Sequence, residues 1–198
     1  MKNNVKGFTL IELLAAIVIL GIISVFAIPQ IVGLLRSGRN KVYISDAQKL
    51  ITQAEYKMRA NNSIIEKPEI NDCIIISLAY LDVSDFDNAP NGGKYQKNKS
   101  FVIVKNEGSN FEYAVKLVEK TKRGYYLGID LISQDSLTDG SKVNHVSNFL
   151  EDELIDVGTD ITKEYINQKI PGYLSGNITN IYADLDTADY DMFDDSDG

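Results

Sequence analysis

The chain of 198 residues is short of cysteine, histidine and positive charge. Its one cysteine, Cys73, excludes an intramolecular disulfide and a CxxC metal knuckle. The formal net charge of −8 disfavours a nucleic-acid-binding protein, because such proteins need a basic surface to meet phosphates. His145 is the one histidine, and the sequence has no GxSxG, HExxH or glycine-rich phosphate motif. We therefore expect no enzymatic activity, no cofactor or metal-dependent catalysis, and no nucleic-acid partner.

A long apolar run near the N-terminus is the strongest feature present. Between Phe8 and Ile28, 21 residues include three polar ones, Thr9, Glu12 and Ser24. About 20 apolar residues suffice to cross a bilayer as a helix, so the run predicts a membrane-spanning segment. A buried core helix seldom runs this long without polar relief, and the apolar stretch of a secretory signal is shorter, about 7–15 residues. Basic residues flank both ends, so the positive-inside rule does not decide the orientation.

Glu12 is a costly residue in such a segment. A carboxylate at the centre of a membrane helix costs about 2.5–3.5 kcal/mol on insertion scales, and intramembrane ionisable residues usually have a partner. The nearest basic residue is Lys6. The stretch KGFTLIELL resembles the class III signal of type IV pilins and of the related pseudopilins of type II secretion systems. The resemblance implies that Gly7 ends a leader of residues 1–7, that a prepilin peptidase cuts after it, and that Phe8 becomes an N-methylated terminus.

The same resemblance implies a partner for Glu12. In that family the glutamate of one subunit meets the N-terminal amine of a neighbour, so Glu12 is expected to select the register of assembly. Gly21 and Pro29 are expected to weaken and kink the helix, since glycine costs about 1 kcal/mol relative to alanine and proline removes a backbone hydrogen bond. Ordinary tolerance within a membrane helix is the alternative interpretation of both residues.

Beyond the apolar run the pattern becomes amphipathic. Apolar residues at three- and four-residue steps mark one helical face: Tyr43, Ala47, Leu50, Ile51, Ala54 and Met58. Charged residues are expected on the remaining surface: Lys41, Asp46, Lys49, Glu55, Lys57 and Arg59. The sequence thus predicts one helix from Phe8 to about Ala60, with a transmembrane or filament-core part at 8–35 and an amphipathic part at 36–60.

Residues 61–198 predict a globular head. The segment 71–83 is compatible with a short helix or a buried strand, and we favour the helix. Three runs with strand character follow, at 100–105, 111–120 and 125–133, joined by hairpin loops. The apolar face of this antiparallel meander needs cover, which the amphipathic half of the long helix can provide. The expected fold class is α+β, a pilin fold with a long N-terminal helix packed on an antiparallel β-meander.

The last third of the chain is less regular. Residues 146–157 predict a further helix. The tail, residues 184–198, holds seven aspartates and no basic residue. Calcium binding is one hypothesis for this tail because Ca²⁺ takes carboxylate oxygens, but the spacing is not that of an EF-hand and a solvated acidic end is favoured.

Charge is also distributed unevenly along the chain. Residues 36–59 carry six basic and two acidic residues, whereas residues 151–198 carry two basic and thirteen acidic ones. Attraction between such surfaces on adjacent subunits is one hypothesis, and two solubilising faces are the alternative. Cys73 is expected to be a buried, inert thiol, with an intermolecular disulfide as the minor alternative.

The pilin resemblance implies a structural subunit of a type IV pilus that serves adhesion, surface motility or aggregation. The alternatives are a minor pilin or type II secretion pseudopilin, and a membrane-tethered binding domain that does not polymerise. The implied partners are other pilin subunits, in a homopolymer or a mixed filament, together with the prepilin peptidase, an assembly ATPase and a membrane platform. We expect a single-pass prepilin in the cell membrane and, after cleavage, a subunit of an extracellular pilus.

Overall fold

The computed structural model describes residues 7–60, 64–81, 86, 88–138, 146–158 and 160–183. The chain divides into two compact units, Met1–Gly38 and Arg39–Gly198. Helix α1 runs from Leu10 to Arg59 and has 50 residues, which confirms the predicted long N-terminal helix. The residues expected to end it, 61–63, lie outside the described part.

The first unit is an apolar helix with exposed side chains. Among its described residues, 18 large apolar side chains between Phe8 and Leu35 are 54–86% exposed. In the described part of the chain, α1 is the one helix whose length and composition suffice to cross a membrane. This agrees with the membrane-spanning segment predicted from the sequence.

The second unit is built on one mixed β-sheet. Its described strands are β1 (Cys73–Ser77), β2 (Lys94–Tyr95), β3 (Phe101–Asn106), β4 (Phe111–Lys120), β5 (Tyr126–Ser133), β6 (Val146–Phe149) and β7 (Ile178–Tyr182). The described part of this unit also contains the short helices α2 (Leu78–Leu81), α3 (Gln134–Thr138) and α4 (Lys163–Lys169).

The strand order is β6-β5-β4-β3-β1-β7, with β2 paired to β4. Neighbouring strands are antiparallel except for β1 and β7, which are parallel. The predicted β3-β4-β5 meander and the α+β class are therefore confirmed.

Two predicted helices are wrong. Within 71–83, residues Cys73–Ser77 form strand β1, and the single-turn helix α2 follows it. The run CIIIS is rich in β-branched residues and is buried on both sides, which is typical of a strand in the middle of a covered sheet. Within 146–157, Val146–Phe149 form the edge strand β6, and Glu151–Glu153 form a 3₁₀ turn. The spacing of apolar residues here suits a helix, but hydrogen bonding to β5 makes these residues a strand instead.

One face of the sheet, called here the helix face, packs against α1. The six apolar residues predicted for this side of α1, from Tyr43 to Met58, are all buried, as expected. They meet alternate residues of the strands: Ile74, Ile76, Val102, Val104, Val115 and Leu117. The amphipathic half of the helix therefore covers the sheet as the sequence indicated.

The other face, called here the C-terminal face, is also covered. Its strand residues include Ile75, Phe101, Ile103 and Ala114, and they form a second core with the segment 155–174. Ile166 of α4 is fully buried in this core. Because both faces are covered, β1, β3 and β4 are buried almost continuously rather than at every second residue.

Candidate assembly site at the start of the N-terminal helix

The predicted cleavage point lies just before α1. Gly7 and Phe8 precede the helix, which begins at Leu10. A Cβ added at Gly7 would meet no described atom within 4 Å, and the Phe8 side chain is 86% exposed. Cleavage after Gly7 and N-methylation of Phe8 remain predictions.

Thr9 and Glu12 form a capping box at the first turn of α1. The backbone N–H and the Oγ1 hydroxyl of Thr9 each donate to Glu12 Oε2 at 2.8 Å. The Glu12 backbone N–H donates to Thr9 Oγ1 at 3.3 Å in return. A capping box satisfies amide groups that a helix start would otherwise leave without partners. The Glu12 carboxylate thus has a local hydrogen-bonding partner within its own chain.

Sequence reasoning missed this partner, although the signal was present. Thr9-x-x-Glu12 is the S/T-x-x-E pattern of a capping box, immediately before an apolar run. Lys6, the nearest basic residue in the sequence, lies outside the described residues. The capping box lowers the cost of placing Glu12 in an apolar segment because the carboxylate arrives already hydrogen-bonded.

Gly21 and Pro29 lie inside α1, and the helix is continuous through both. A Cβ at Gly21 would contact no described atom within 4 Å. Nearby, the Ser24 hydroxyl donates to the carbonyl of Leu20 at 2.7 Å, which satisfies this polar side chain inside the helix. The weakening and kinking expected at Gly21 and Pro29 remain predictions.

A buried carboxylate anchors α1 on the head. Glu119, at the end of β4, is fully buried and accepts a hydrogen bond from the Gly93 N–H at 2.9 Å. Its second oxygen, Oε2, accepts a hydrogen bond from the Tyr43 hydroxyl. The same oxygen accepts hydrogen bonds from the backbone amide and the side-chain amide of Asn91, each at 3.3 Å. Burial and the hydrogen bond to Glu119 raise the pKa of Tyr43, so its hydroxyl remains a donor. This network ties α1 to β4 and to the loop before β2.

Asp46 corrects one expectation about the helix. The sequence predicts it among the solvent-facing charges, but Asp46 is only 9% exposed. Its carboxylate accepts a hydrogen bond from the Tyr95 hydroxyl at 2.8 Å and pairs with Lys49 at 3.2 Å. Burial, followed by the Asp46 charge, raises the pKa of Tyr95. A short polar side chain on the buried side is tolerated because it has its own donors.

Cys73 is fully buried in β1, as expected. Burial and the nearby Asp72 raise the pKa of its thiol to about 12. Since the thiolate is the reactive form, a thiol with this pKa is inert near neutral pH. Burial also argues against the alternative of an intermolecular disulfide.

The metal hypothesis concerns a part of the chain that the structure does not describe. The acidic tail, residues 184–198, and His145 both lie outside the described residues. Within the described ranges, no group of three or more His, Cys, Asp or Glu residues could hold a metal ion. Calcium binding by the tail therefore remains a hypothesis.

A comparison with family models finds one match at the site just described. The model of the prokaryotic N-terminal methylation motif matches residues 2–28, a segment that includes Gly7, Phe8 and Glu12. No match was found among the curated proteins or the solved structures. The motif is the class III signal peptide of type IV pilins, and it supports the identification of this chain as a type IV pilin-like prepilin.

Proposed function

We propose that the chain is a structural subunit of a type IV pilus that polymerises through its N-terminal helix into an extracellular filament. The observation that carries this proposal is the methylation motif, which leads directly into an apolar helix with exposed side chains. The pilin-like family is structural rather than enzymatic. The filament would serve adhesion, surface motility or aggregation.

The exposed apolar surface supports polymerisation. Soluble proteins seldom expose contiguous apolar patches of more than a few hundred Å², and larger ones mark interaction sites. Here 18 large apolar side chains between Phe8 and Leu35 are more than half exposed. The membrane covers them in the prepilin, and helices of other subunits cover them in the filament. In this proposal 8–35 is the membrane and filament-core segment, 36–60 the amphipathic half of the same helix, and 61–198 the head.

The hydrogen bonds of Glu12 support its role in assembly. Both Thr9 donors end on Oε2, so within the described residues Oε1 is available to a further donor. Cleavage after Gly7 frees an amine on Phe8, and the amine of a neighbouring subunit is the proposed donor. Opposite charges attract more strongly in an apolar bundle than in water. Because desolvation offsets much of that gain, the pair selects register more than it adds stability.

The proposed partners act one after another on the chain. A prepilin peptidase cuts after Gly7 and methylates Phe8. An assembly ATPase and a membrane platform then move the subunit from the membrane into the filament, next to other pilin subunits. Gly21 and Pro29 are proposed to let the helix bend or partly unwind during this packing.

Mass spectrometry of the mature protein tests the first step. We expect an N-terminal peptide that begins at an N-methylated Phe8. A mature chain that still begins at Met1 would contradict the proposal and favour a membrane-tethered domain that does not polymerise. Copy number per filament then distinguishes a main subunit from a minor pilin or pseudopilin, since only the main subunit accounts for most of the filament mass.

Substitutions at Glu12 test the second step. Glu12→Gln keeps the size and one acceptor oxygen but removes the charge, and Glu12→Ala removes both. We expect both variants to lose most filaments, while the head keeps its unfolding midpoint in mild detergent. Glu55→Ala is the matched control, because Glu55 lies on the same helix, outside the apolar segment, and pairs with the exposed Arg59. Normal filament numbers from Glu12→Ala cells would contradict the assembly role.

A further inference from the structure

Basic side chains are concentrated at one end of the sheet. Lys94 of β2 lies directly opposite Lys120 of β4 in the strand register. Lys122 and Arg123 follow in the turn between β4 and β5, which Gly124 closes by donating its N–H to the carbonyl of Thr121 at 2.9 Å. Like charges directly opposite each other in a sheet destabilise the pairing. An arrangement of this kind is relieved when an anion binds.

Arg39 of α1 joins this group through the loop before β2. Its Nη1 donates to Asn91 Oδ1 at 3.3 Å. Two residues later, Gly93 packs so closely on β4 that an added Cβ would lie 2.0 Å from the Lys120 carbonyl. Arg39, Lys94, Lys120, Lys122 and Arg123 therefore lie around one end of the sheet, with Arg39 on the side of α1 and the paired Lys94 and Lys120 on the opposite face, and this group is called here the basic patch.

The positive charge of the basic patch is not cancelled by the described residues. All five side chains are exposed, and none forms an ion pair with a described acidic residue. Glu119 neighbours Lys120 in sequence, but it is fully buried and accepts hydrogen bonds from Tyr43, Asn91 and Gly93. Lys120 lies instead over the Tyr126 ring, 5.8 Å from its centroid. Within the described part of the chain, the patch thus offers several cations that have no ion-pair partner.

The position of the patch along the chain indicates which anion it meets. Arg39 follows Leu35, the end of the apolar segment, by four residues, or about 6 Å of helix rise. The polar layer on each side of a bilayer is about 5–7 Å thick. By chain length alone, the basic patch begins where lipid headgroups lie.

We propose that the basic patch docks on an anionic lipid surface and holds the head against the membrane that anchors the prepilin. The proposal goes beyond filament formation, but it rests on the membrane anchoring proposed above. Clusters of basic residues next to a membrane helix are attracted to anionic headgroups, and this attraction acts within about one Debye length. Entry into a filament then requires this contact to be released.

The full chain in lipid vesicles provides the test, with lysine acetylation as the readout. One set of vesicles contains zwitterionic phosphatidylcholine, and the other adds anionic phosphatidylglycerol. We expect Lys94, Lys120 and Lys122 to be acetylated about fivefold more slowly in the anionic vesicles, with the protection lost in 1 M salt. Lys67 is the control because it is exposed but lies far from the basic patch. The neighbouring Pro68 accepts a hydrogen bond from Asn106, which pairs with the start of β4, whereas the patch lies at the other end of this strand, roughly 30 Å away.

Charge reversal in the turn sharpens the test. Lys122→Glu together with Arg123→Glu is expected to remove most of the protection at Lys94 and Lys120, whereas Lys67→Glu leaves it unchanged. Equal acetylation rates in the two kinds of vesicle would overturn the proposal. Protection that rises with protein density in zwitterionic vesicles would overturn it in favour of contact with a second copy. Release of the chain by alkaline carbonate would instead refute the membrane anchoring.

Discussion

Strand β4 places one fully buried charged side chain on each face of the sheet, and the two faces hold their charges differently. On the helix face, Glu119 accepts hydrogen bonds from Tyr43, Asn91 and Gly93. On the C-terminal face, Lys116 Nζ lies 2.7 Å from the Asp130 carboxylate, and the Lys116 side chain is 1% exposed. The helix face therefore solvates its charge with hydroxyl and amide donors, whereas the C-terminal face uses an ion pair.

The ion pair on the C-terminal face belongs to a larger group. Lys169 of α4 pairs with the second oxygen of Asp130 at 2.6 Å. Lys116 also donates to the Tyr165 hydroxyl at 3.0 Å and lies 4.7 Å from the centroid of the Phe149 ring. Asp130 thus links β4, β5 and α4. Both covers pack on an apolar core, but α4 is tied to the sheet by an ion-pair network, whereas α1 is tied to it by neutral donors around Glu119.

Asp130→Ala breaks the charge network and is expected to have the largest effect on the head. It leaves the Lys116 ammonium buried without its carboxylate. Removing one partner of a fully buried ion pair costs about 3–5 kcal/mol, and because the Asp130 side chain is 30% exposed we expect a loss toward the lower end of that range. Urea unfolding of the full chain in mild detergent, followed by circular dichroism, measures the loss. Asp156→Ala is the control. The Asp156 carboxylate lies 2.7 Å from Lys99 Nζ, but the Asp156 side chain is 53% exposed, and such surface ion pairs contribute about 0–1 kcal/mol. Equal losses in the two variants would contradict the importance of burial.

The two faces also differ in how far the sequence predicted them. The helix face followed from a regular signal, since apolar residues from Tyr43 to Met58 repeat at helical steps and all are buried. In β4, Tyr113, Val115 and Leu117 stand at every second position, and all three belong to the core that α1 covers. A period of two or of 3.6 residues survives in the sequence because one side of each element meets water or a single partner.

The C-terminal face could not be predicted in this way. Lys116 occupies a position that alternation assigns to solvent, but residues distant in sequence, Phe149 of β6 and Tyr165 of α4, lie against its ammonium group. The run at 73–77 is apolar on both sides because both faces of β1 are covered, so it has no strand period. At the assembly site, the family resemblance identified Glu12. Its hydrogen bonds with Thr9 can be predicted only from the capping-box pattern Thr9-x-x-Glu12 at the start of the helix.

Tyr43→Phe tests the helix face and is expected to cost less than Asp130→Ala. It removes one donor to the buried Glu119 carboxylate, and a lost hydrogen bond to a buried acceptor costs about 1–3 kcal/mol. The loss is limited because Gly93 and Asn91 still donate to Glu119. The same urea titration measures it. Tyr56→Phe is the matched control, since Tyr56 is on the same helix and 70% exposed, and its midpoint should not move.

Acid provides the finest distinction between the faces. Burial raises the pKa of Asp130, but hydrogen bonds from Lys116 and Lys169 outweigh it and leave this pKa below its ordinary value. A carboxyl group whose pKa is lower in the folded state than in the unfolded state stabilises the fold at any pH above its unfolded pKa, which is about 3.9 for aspartate. This stabilisation is lost as the pH falls from the unfolded pKa toward the folded pKa. Asp130→Asn cannot titrate, so its stability should change less than that of the wild type between about pH 5 and pH 3. Parallel acid curves for the two proteins would show that the charge network on the C-terminal face does not set the acid sensitivity of the head.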